Sequence, residues 1–231
     1  MNVIAHIRTD YHQKFGIPRN AGLAAETQGV IVFEPEYANP EAVRGLEEFS
    51  HLWLLWQFEN TDRDHWRPTV RPPRLGGSRR MGVFATRSPF RPNPIGLSCV
   101  RLDRVEIIDG VPYVHVLGAD LRDNTPIYDI KPYLPFADCH PEANGGWIDH
   151  EPWQALEVDF PEEELSKVAT EKQAGLIGAL EQDPRPPLQD DPEKEYAMAF
   201  ASYNVKFTVD KDTLHVTKVE PLDENTFEFE L

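Results

Sequence analysis

The segment from Met81 to Gly96 reads Met-Gly-Val-Phe-Ala-Thr-Arg-Ser-Pro-Phe-Arg-Pro-Asn-Pro-Ile-Gly, and it constrains the fold more than any other. Three prolines in six residues fix φ, remove backbone donors and push the residue before each into extended geometry. No helix can pass through such a run. The flanks, Gly82 to Thr86 and Ile95 to Ile107, carry the β-branched and apolar composition of strands. The segment therefore reads as strand, stiff loop, strand, and the loop presents Arg87, Ser88, Arg91 and Asn93. A rigid loop bearing two arginines is pre-organised to hold an anionic or polar ligand.

Other strand candidates in the first 135 residues are Val3–Arg8, Gly29–Phe33, His51–Phe58, Val111–Leu117 and Ile127–Tyr133. Asp109-Gly110 is a hairpin turn signal between two of these runs. Helical periodicity is confined to a short stretch at Pro40–Phe49. Seven short strands in this span imply a closed or nearly closed antiparallel barrel, with a mixed sheet as the other arrangement of the same elements. Residues 139–152 form a connector rich in Pro, Gly, Asn and His. Beyond it come a strand (Gln154–Phe160), a helix from Pro161 to about Gln182, and two strands (Ala197–Val209 and Leu214–Val219). The expected class is mainly β: a barrel domain over 1–138 and a small α+β domain over 153–231.

Charge separates the same two regions. The whole chain carries a net −16. Residues 1–135 hold 16 basic and 16 acidic side chains, whereas residues 136–231 hold 7 and 23. Within the neutral part, Arg63 to Arg91 contains eight arginines and one acid, Asp64. A focused basic patch attracts phosphate whatever the overall balance, so Arg71, Arg74, Arg79 and Arg80 are candidate RNA contacts. No apolar run approaches the ~20 residues of a membrane span, and the N-terminal residues read as a strand, so no signal peptide is expected. The two cysteines, Cys99 and Cys139, lack metal-ligand spacing, and Cys99 in its apolar run reads as a buried small hydrophobe. The eight histidines form no HxH or HxxxH pair. No catalytic metal is expected, and a reducing cytoplasm is the default location.

Two further segments carry polar chemistry. Lys14-Phe15-Gly16-Ile17-Pro18-Arg19-Asn20 is another shaped basic loop. Asp123-Asn124-Thr125-Pro126 is a turn signal, after which Asp129, Lys131 and Tyr133 alternate onto one strand face. Asp129 and Lys131 are either a surface ion pair or part of a pocket mouth.

Three segments in this order, Lys14–Asn20, Arg71–Ser98 and Asp120–Asp138, resemble the TsaA-like family of TrmO-type tRNA methyltransferases. The run from Gly82 to Gly96 matches the family's GVFATRSxxRPNPIG signature without a break, and the likeness extends to Asp183-Pro184-Arg185-Pro186 and to Tyr196–Phe207. The resemblance implies an N-terminal β-barrel that binds S-adenosylmethionine. It also implies methylation of the exocyclic nitrogen of threonylcarbamoyl-adenosine at position 37 of threonine tRNA, and a homodimer with the cofactor near the subunit interface. Carried over by position, the cofactor contacts fall on Pro18, Arg19 and Asn20, on Glu59 and Asn60, on Arg87 and Leu97, and on Leu121, Arg122, Asp123, Asn124 and Thr125. The chain departs from the family pattern at Asn20, where glutamine is usual, at Glu59-Asn60, where a His-Gln type pair is commoner, and at Asn124, where glycine is usual. Pro187-Leu188 also stands where an aromatic is expected.

Methyl transfer to a delocalised nitrogen gains from a base, and Asp129 is the expected proton acceptor, with Lys131 orienting the substrate. Two other readings of the residues remain: a non-catalytic RNA-binding barrel, and an adenosyl-cofactor enzyme acting on another substrate.

Overall fold

The structure is a computed structural model that describes residues 1–58, 66–72, 75, 79–150, 154–186, 189 and 191–223. Six strands close into an antiparallel barrel: β1 (Ala5–Thr9), β2 (Gln28–Phe33), β3 (His51–Gln57), β6 (Ile95–Ile108), β7 (Val111–Leu117) and β8 (Thr125–Pro132). Their order around the barrel is β1-β2-β7-β6-β3-β8. Period-two alternation sends one side chain in two inward. Ile7, Ile31, Leu52, Leu54, Val100, Val114, Val116 and Ile127 thus form one apolar filling. Cys99 is only half-buried, contrary to its expected burial, because β6 turns Ser98 and Val100 inward and leaves Cys99 on the outer face.

The proline-rich segment corrects another expectation. Of the strand expected over Gly82–Thr86, only Gly82 lies in a strand, Met81–Gly82 (β5), which pairs with Thr69–Val70 (β4) in a two-stranded ribbon. Val83–Ala85 is a 3-10 turn, closed by Thr86 N–H donating to Val83 O at 3.2 Å. The carbonyls a strand would offer to a neighbour are taken from within the loop. Arg91 Nη1 donates to Thr86 O at 2.7 Å and to Val83 O at 3.3 Å. Pro40–Phe49 is likewise two 3-10 turns, Pro40–Val43 and Leu46–Glu48, broken at Gly45 with φ +81°.

Beyond the barrel, β9 (Glu157–Asp159), β10 (Tyr196–Phe200), β11 (Tyr203–Asp210) and β12 (Thr213–Pro221) form a sheet in the order β10-β11-β12-β9. The strand expected over Ala197–Val209 is a hairpin, because Ala201 takes φ +49°. That turn is fastened to the N-terminal chain: Ala201 N–H donates to Asp10 O at 2.8 Å, and His12 Nε2 lies 2.8 Å from Ala201 O. The expected long helix is two, α2 (Glu162–Leu165) and α3 (Thr170–Leu180), following the short α1 (Pro135–Asp138) after the barrel. At the break, Ala169 N–H donates to Tyr203 Oη at 2.9 Å instead of to a helical carbonyl. Gln173 Nε2 also donates to the carbonyls of Leu165 and Val168 at 3.1 and 3.0 Å.

One feature governs the site. Tyr11, Phe15, Ile17 and Ala24, which follow β1, do not pack into the barrel; they complete the core of the C-terminal sheet, against Leu176, Met198, Phe200 and Phe207. The Lys14–Asn20 loop is thereby clamped between the two units.

Candidate active site

At the barrel end where β1 finishes and β6 begins, the two proline-containing loops meet. Arg87 Nη1 donates to Asn20 Oδ1 at 3.1 Å, joining positions 67 residues apart. Beneath them lies a carboxylate that the sequence reading did not single out. Asp120 Oδ1 accepts from Ser98 Oγ at 2.5 Å, and Ser98 Oγ accepts from Trp56 Nε1 at 2.9 Å. This places a chain of donors inside the barrel mouth, ending on a charge. Burial pushes the Asp120 carboxyl above the usual carboxylate range; the Ser98 hydroxyl, the Arg87 guanidinium and the Ala21 N–H pull the other way without cancelling it. A desolvated carboxylate beside an arginine-bearing loop is the kind of perturbed group that functional sites collect.

The Leu121–Thr125 turn is the opposite case. It is wired into β1: Thr9 N–H donates to Asp123 Oδ1 at 3.0 Å, Thr9 Oγ1 to Leu121 O at 3.0 Å, and Asn124 N–H to Ile7 O at 2.8 Å. Arg122 Nε donates to His12 O at 3.0 Å and Thr125 Oγ1 to Arg122 O at 2.7 Å. Asn124 has φ +66°, which asparagine tolerates where glycine is usual. Leu121 and Thr125 are buried, as is Pro18, while Arg19 is exposed. These residues shape the barrel mouth. Among the expected contacts of this end, Arg19, Arg87, Leu97 and Asn124 are exposed and Asn20 is half-buried.

Leu97 lies outward on β6, 53% exposed. Register puts it opposite Leu55, which is opposite Asp129; the next row is Cys99, Trp53 and Lys131. Leu97 and Asp129 thus share the outer wall, two strand spacings or about 10 Å apart. Asp129 and Lys131 form an exposed ion pair at 2.8 Å, the surface-pair geometry that the alternation allowed. Neither faces the barrel interior.

Of the four expected RNA contacts, Arg71, Arg79 and Arg80 are exposed, and Arg80 Nη1 donates to Thr69 Oγ1 at 3.0 Å. Arg74, Glu59 and Asn60 lie outside the described residues. The arginine-rich segment also carries aromatics that the charge count passed over. Trp66 and Phe84 are 50% and 71% exposed and stack at 6.4 Å. Arg91 lies over Phe84 at 5.6 Å and Arg67 over Phe90 at 4.9 Å. Cations interleaved with exposed rings suit unpaired bases and phosphate together, and aromatic spacing within the arginine run was the signal for it.

The profile of the tRNA-methyltransferase O N-terminal domain matches residues 6–139, and that of the TrmO C-terminal domain matches residues 153–222. The chain is 43% identical over 226 residues to the tRNA (adenine(37)-N6)-methyltransferase of Escherichia coli K12, covering 94% of this chain and 96% of that one. A protein of the same name from Eikenella corrodens is 46% identical over 164 residues, 71% of this chain and 92% of its own. A crystal structure of TrmO from Pseudomonas aeruginosa superposes with a TM-score of 0.76 at 33% identity, covering 96% of this chain and 97% of that chain. Both domain profiles, the length of the matched relatives and the shared architecture agree, and the chain belongs to the TrmO family.

Proposed function

We propose that this chain is an S-adenosylmethionine-dependent methyltransferase that methylates N6 of threonylcarbamoyl-adenosine at position 37 of tRNA, threonine tRNA among them. The observation that carries this reading is the joining of the two shaped loops by Asn20 and Arg87 above the half-buried carboxylate of Asp120. The donor set suits the cofactor's charges: a guanidinium for its carboxylate, a carboxylate for its ammonium and sulfonium, and the exposed Leu97 for apolar contact. When bound, S-adenosylmethionine supplies an electrophilic methyl group on a neutral leaving group.

The protein's main task is then alignment, which contributes about 7–11 kcal/mol in favourable systems. Asn20 and Arg87 fix the distance between the loops, and Arg91 keeps the second loop in shape. The N6 lone pair is delocalised, so removing its proton assists attack by roughly 100- to 10,000-fold. Asp129 accepts that proton in this reading, and Lys131, 2.8 Å away, orients the substrate carbonyl or carboxylate. Arg71, Arg74, Arg79 and Arg80 hold the tRNA backbone. The outward face of Trp53, Leu55, Ile95 and Leu97 is where a second copy docks. A homodimer formed there brings Asp129 beneath the partner and ends its exposure to solvent. The enzyme works where its tRNA is, in the cytoplasm.

Single-turnover methylation of substrate tRNA at saturating cofactor tests the reading. Asp129→Asn is expected to slow the step at least 100-fold with little change in cofactor affinity, whereas Asp120→Asn is expected to weaken cofactor binding. Near-normal rates for Asp129→Asn remove it from the role of base. Absence of calorimetric binding of S-adenosylmethionine to the wild-type chain would favour the non-catalytic RNA-binding barrel. Methyl label that misses tRNA favours another substrate.

A further inference from the structure

Apart from the barrel mouth there is a cleft of about 350 Å3 between the Lys14–Arg19 loop and the end of α3 with the Asp183-Pro184-Arg185-Pro186 segment. Its position is set by the seam described above. Phe15, on one wall, is held in a rigid aromatic column, stacked on Tyr196 at 6.5 Å and Phe207 at 6.4 Å. The other wall is equally fixed. Asp183 has φ +50°, a left-handed conformation uncommon outside glycine. Its carboxylate grips Arg185 in two parallel bonds, from Nε at 2.8 Å and Nη2 at 2.9 Å.

The chemistry of the walls narrows that ligand. Arg185 is the only arginine in residues 136–231, where acids exceed bases by sixteen. The fold brings it to the same cleft as the exposed Lys14 and Arg19. Three cations against one acid, Asp183, make this a local positive site on the most acidic part of the molecule, complementary to phosphate. Phe15, Pro184 and Ala179 supply an apolar surface. Gln182 is 9% exposed; its Nε2 donates to Leu23 O at 3.2 Å and its Oε1 has no partner among the described residues. The volume sits at the small end of ligand pockets, suited to one nucleoside and too small for a duplex or a helix. Unstacked bases are held by such aromatic, cationic and amide groups. Arg19 lines the cleft, while the next residue, Asn20, holds Arg87, so cleft and barrel mouth lie on two sides of one loop.

We propose that the cleft takes one unstacked nucleotide of the substrate RNA adjacent to the adenosine that is methylated. Its phosphate lies against Lys14 and Arg19, and its base against Phe15 and Gln182. Arg19 thereby moves from a cofactor contact to an RNA contact. The inference rests on the proposed function for the identity of the target, but not for its test.

The test uses the full-length protein and a labelled anticodon stem-loop carrying the modified adenosine, with binding read by fluorescence anisotropy. Substrates are intact, or abasic at the nucleotide before or after the target. Lys14→Glu is expected to weaken binding of the intact RNA about tenfold and to leave S-adenosylmethionine affinity unchanged. One of the two abasic substrates is expected to bind wild type severalfold more weakly, and Gln182→Leu is expected to erase that difference. Unaltered RNA affinity in Lys14→Glu, which alters an exposed side chain and leaves the core intact, overturns the proposal. So does a full abasic penalty retained by a folded Gln182→Leu. Free adenosine monophosphate is the control for a small-nucleotide site: binding abolished by Lys14→Glu while RNA affinity is unchanged assigns the cleft to a free nucleotide instead. If wild type methylates no RNA but the abasic coupling is present, the proposed reaction fails and the cleft assignment stands.

Discussion

The barrel and the C-terminal sheet solve the same problem in different ways. Both are built from short strands with alternating burial, and both fill one face with Val, Leu, Ile and aromatic residues. The barrel closes on itself, so each strand finds two partners and no edge is exposed. The C-terminal sheet stays open at β10 and β9, and its core is completed by residues that precede β2 in the chain. Tyr11 and Ala24 are as buried as its own side chains. α3 lies against residues 24–27 so closely that a Cβ on Gly175 would stand 3.1 Å from Glu26 O. Lys172 Nζ reaches both oxygens of Asp10 at 2.8 Å and Gln28 Oε1 at 3.0 Å. Barrel stability is therefore self-contained, whereas the C-terminal unit draws on the segment that carries the candidate cofactor loop. Disturbing the barrel should unfold the protein; disturbing the seam should loosen the site first.

The largest effect is expected inside the barrel. A Cβ at Gly96 would fall 2.2–2.5 Å from the Trp56 ring, which faces it across β3 and β6 and donates to Ser98. Overpacking of this kind costs about 3 kcal/mol, so Gly96→Ala should sharply lower the urea midpoint of the whole molecule. A wild-type midpoint would mean that Trp56 can leave the barrel mouth freely. Next comes the seam. Lys172→Met strips the cation from Asp10, whose side chain is 12% exposed. Removing one partner of a fully buried pair costs about 3–5 kcal/mol, and partial exposure of Lys172 reduces that to about 2 kcal/mol. Calorimetry should show the C-terminal transition moving down while the barrel transition stays, with S-adenosylmethionine affinity falling severalfold. Equal loss in one joint transition would break the distinction between the two units.

The distinction also explains what the sequence conveyed. Barrel strands such as Val111–Leu117 were legible because alternation is local and closure rewards it. The breaks were not legible, because their causes are distant. Ala169 leaves the helix for the hydroxyl of Tyr203, and Ala201 turns because Asp10 and His12 hold its backbone. At the site, the stiffness of the Arg87 loop was readable from its prolines, whereas its pairing with Asn20 was implied only by the resemblance, which put both among the cofactor contacts. Asp120 was not readable: in Asp-Leu-Arg-Asp-Asn-Thr-Pro it looks like one more turn former. Only the inward face of β6, which carries Ser98 at that depth, makes it an acceptor within the barrel mouth.

The smallest expected effect separates the two units by pH, because their key carboxyls are displaced in opposite directions. Burial raises Asp120, so its ionised form opposes folding. The barrel's share of stability from this group is full below the ordinary carboxylate value and is lost as pH rises through the elevated one. Glu220 on β12 is lowered from 4.5 to about 2 by Lys218 and Lys206, and Glu164, which accepts from Val219 N–H, is lowered chiefly by Lys167. Stability from these two is present above the ordinary value and disappears as pH falls through the depressed one. Acidification from pH 5 to pH 2 should therefore leave the barrel holding while the C-terminal sheet loosens. Amide exchange should show Val205 and Phe207 losing protection before Val114 and Val116. Glu220→Gln should move that loss to higher pH, modestly, because the group is exposed and screened. If the barrel amides exchange first, burial does not raise the carboxyl at the barrel mouth above the pull of its Ser98 hydrogen bond.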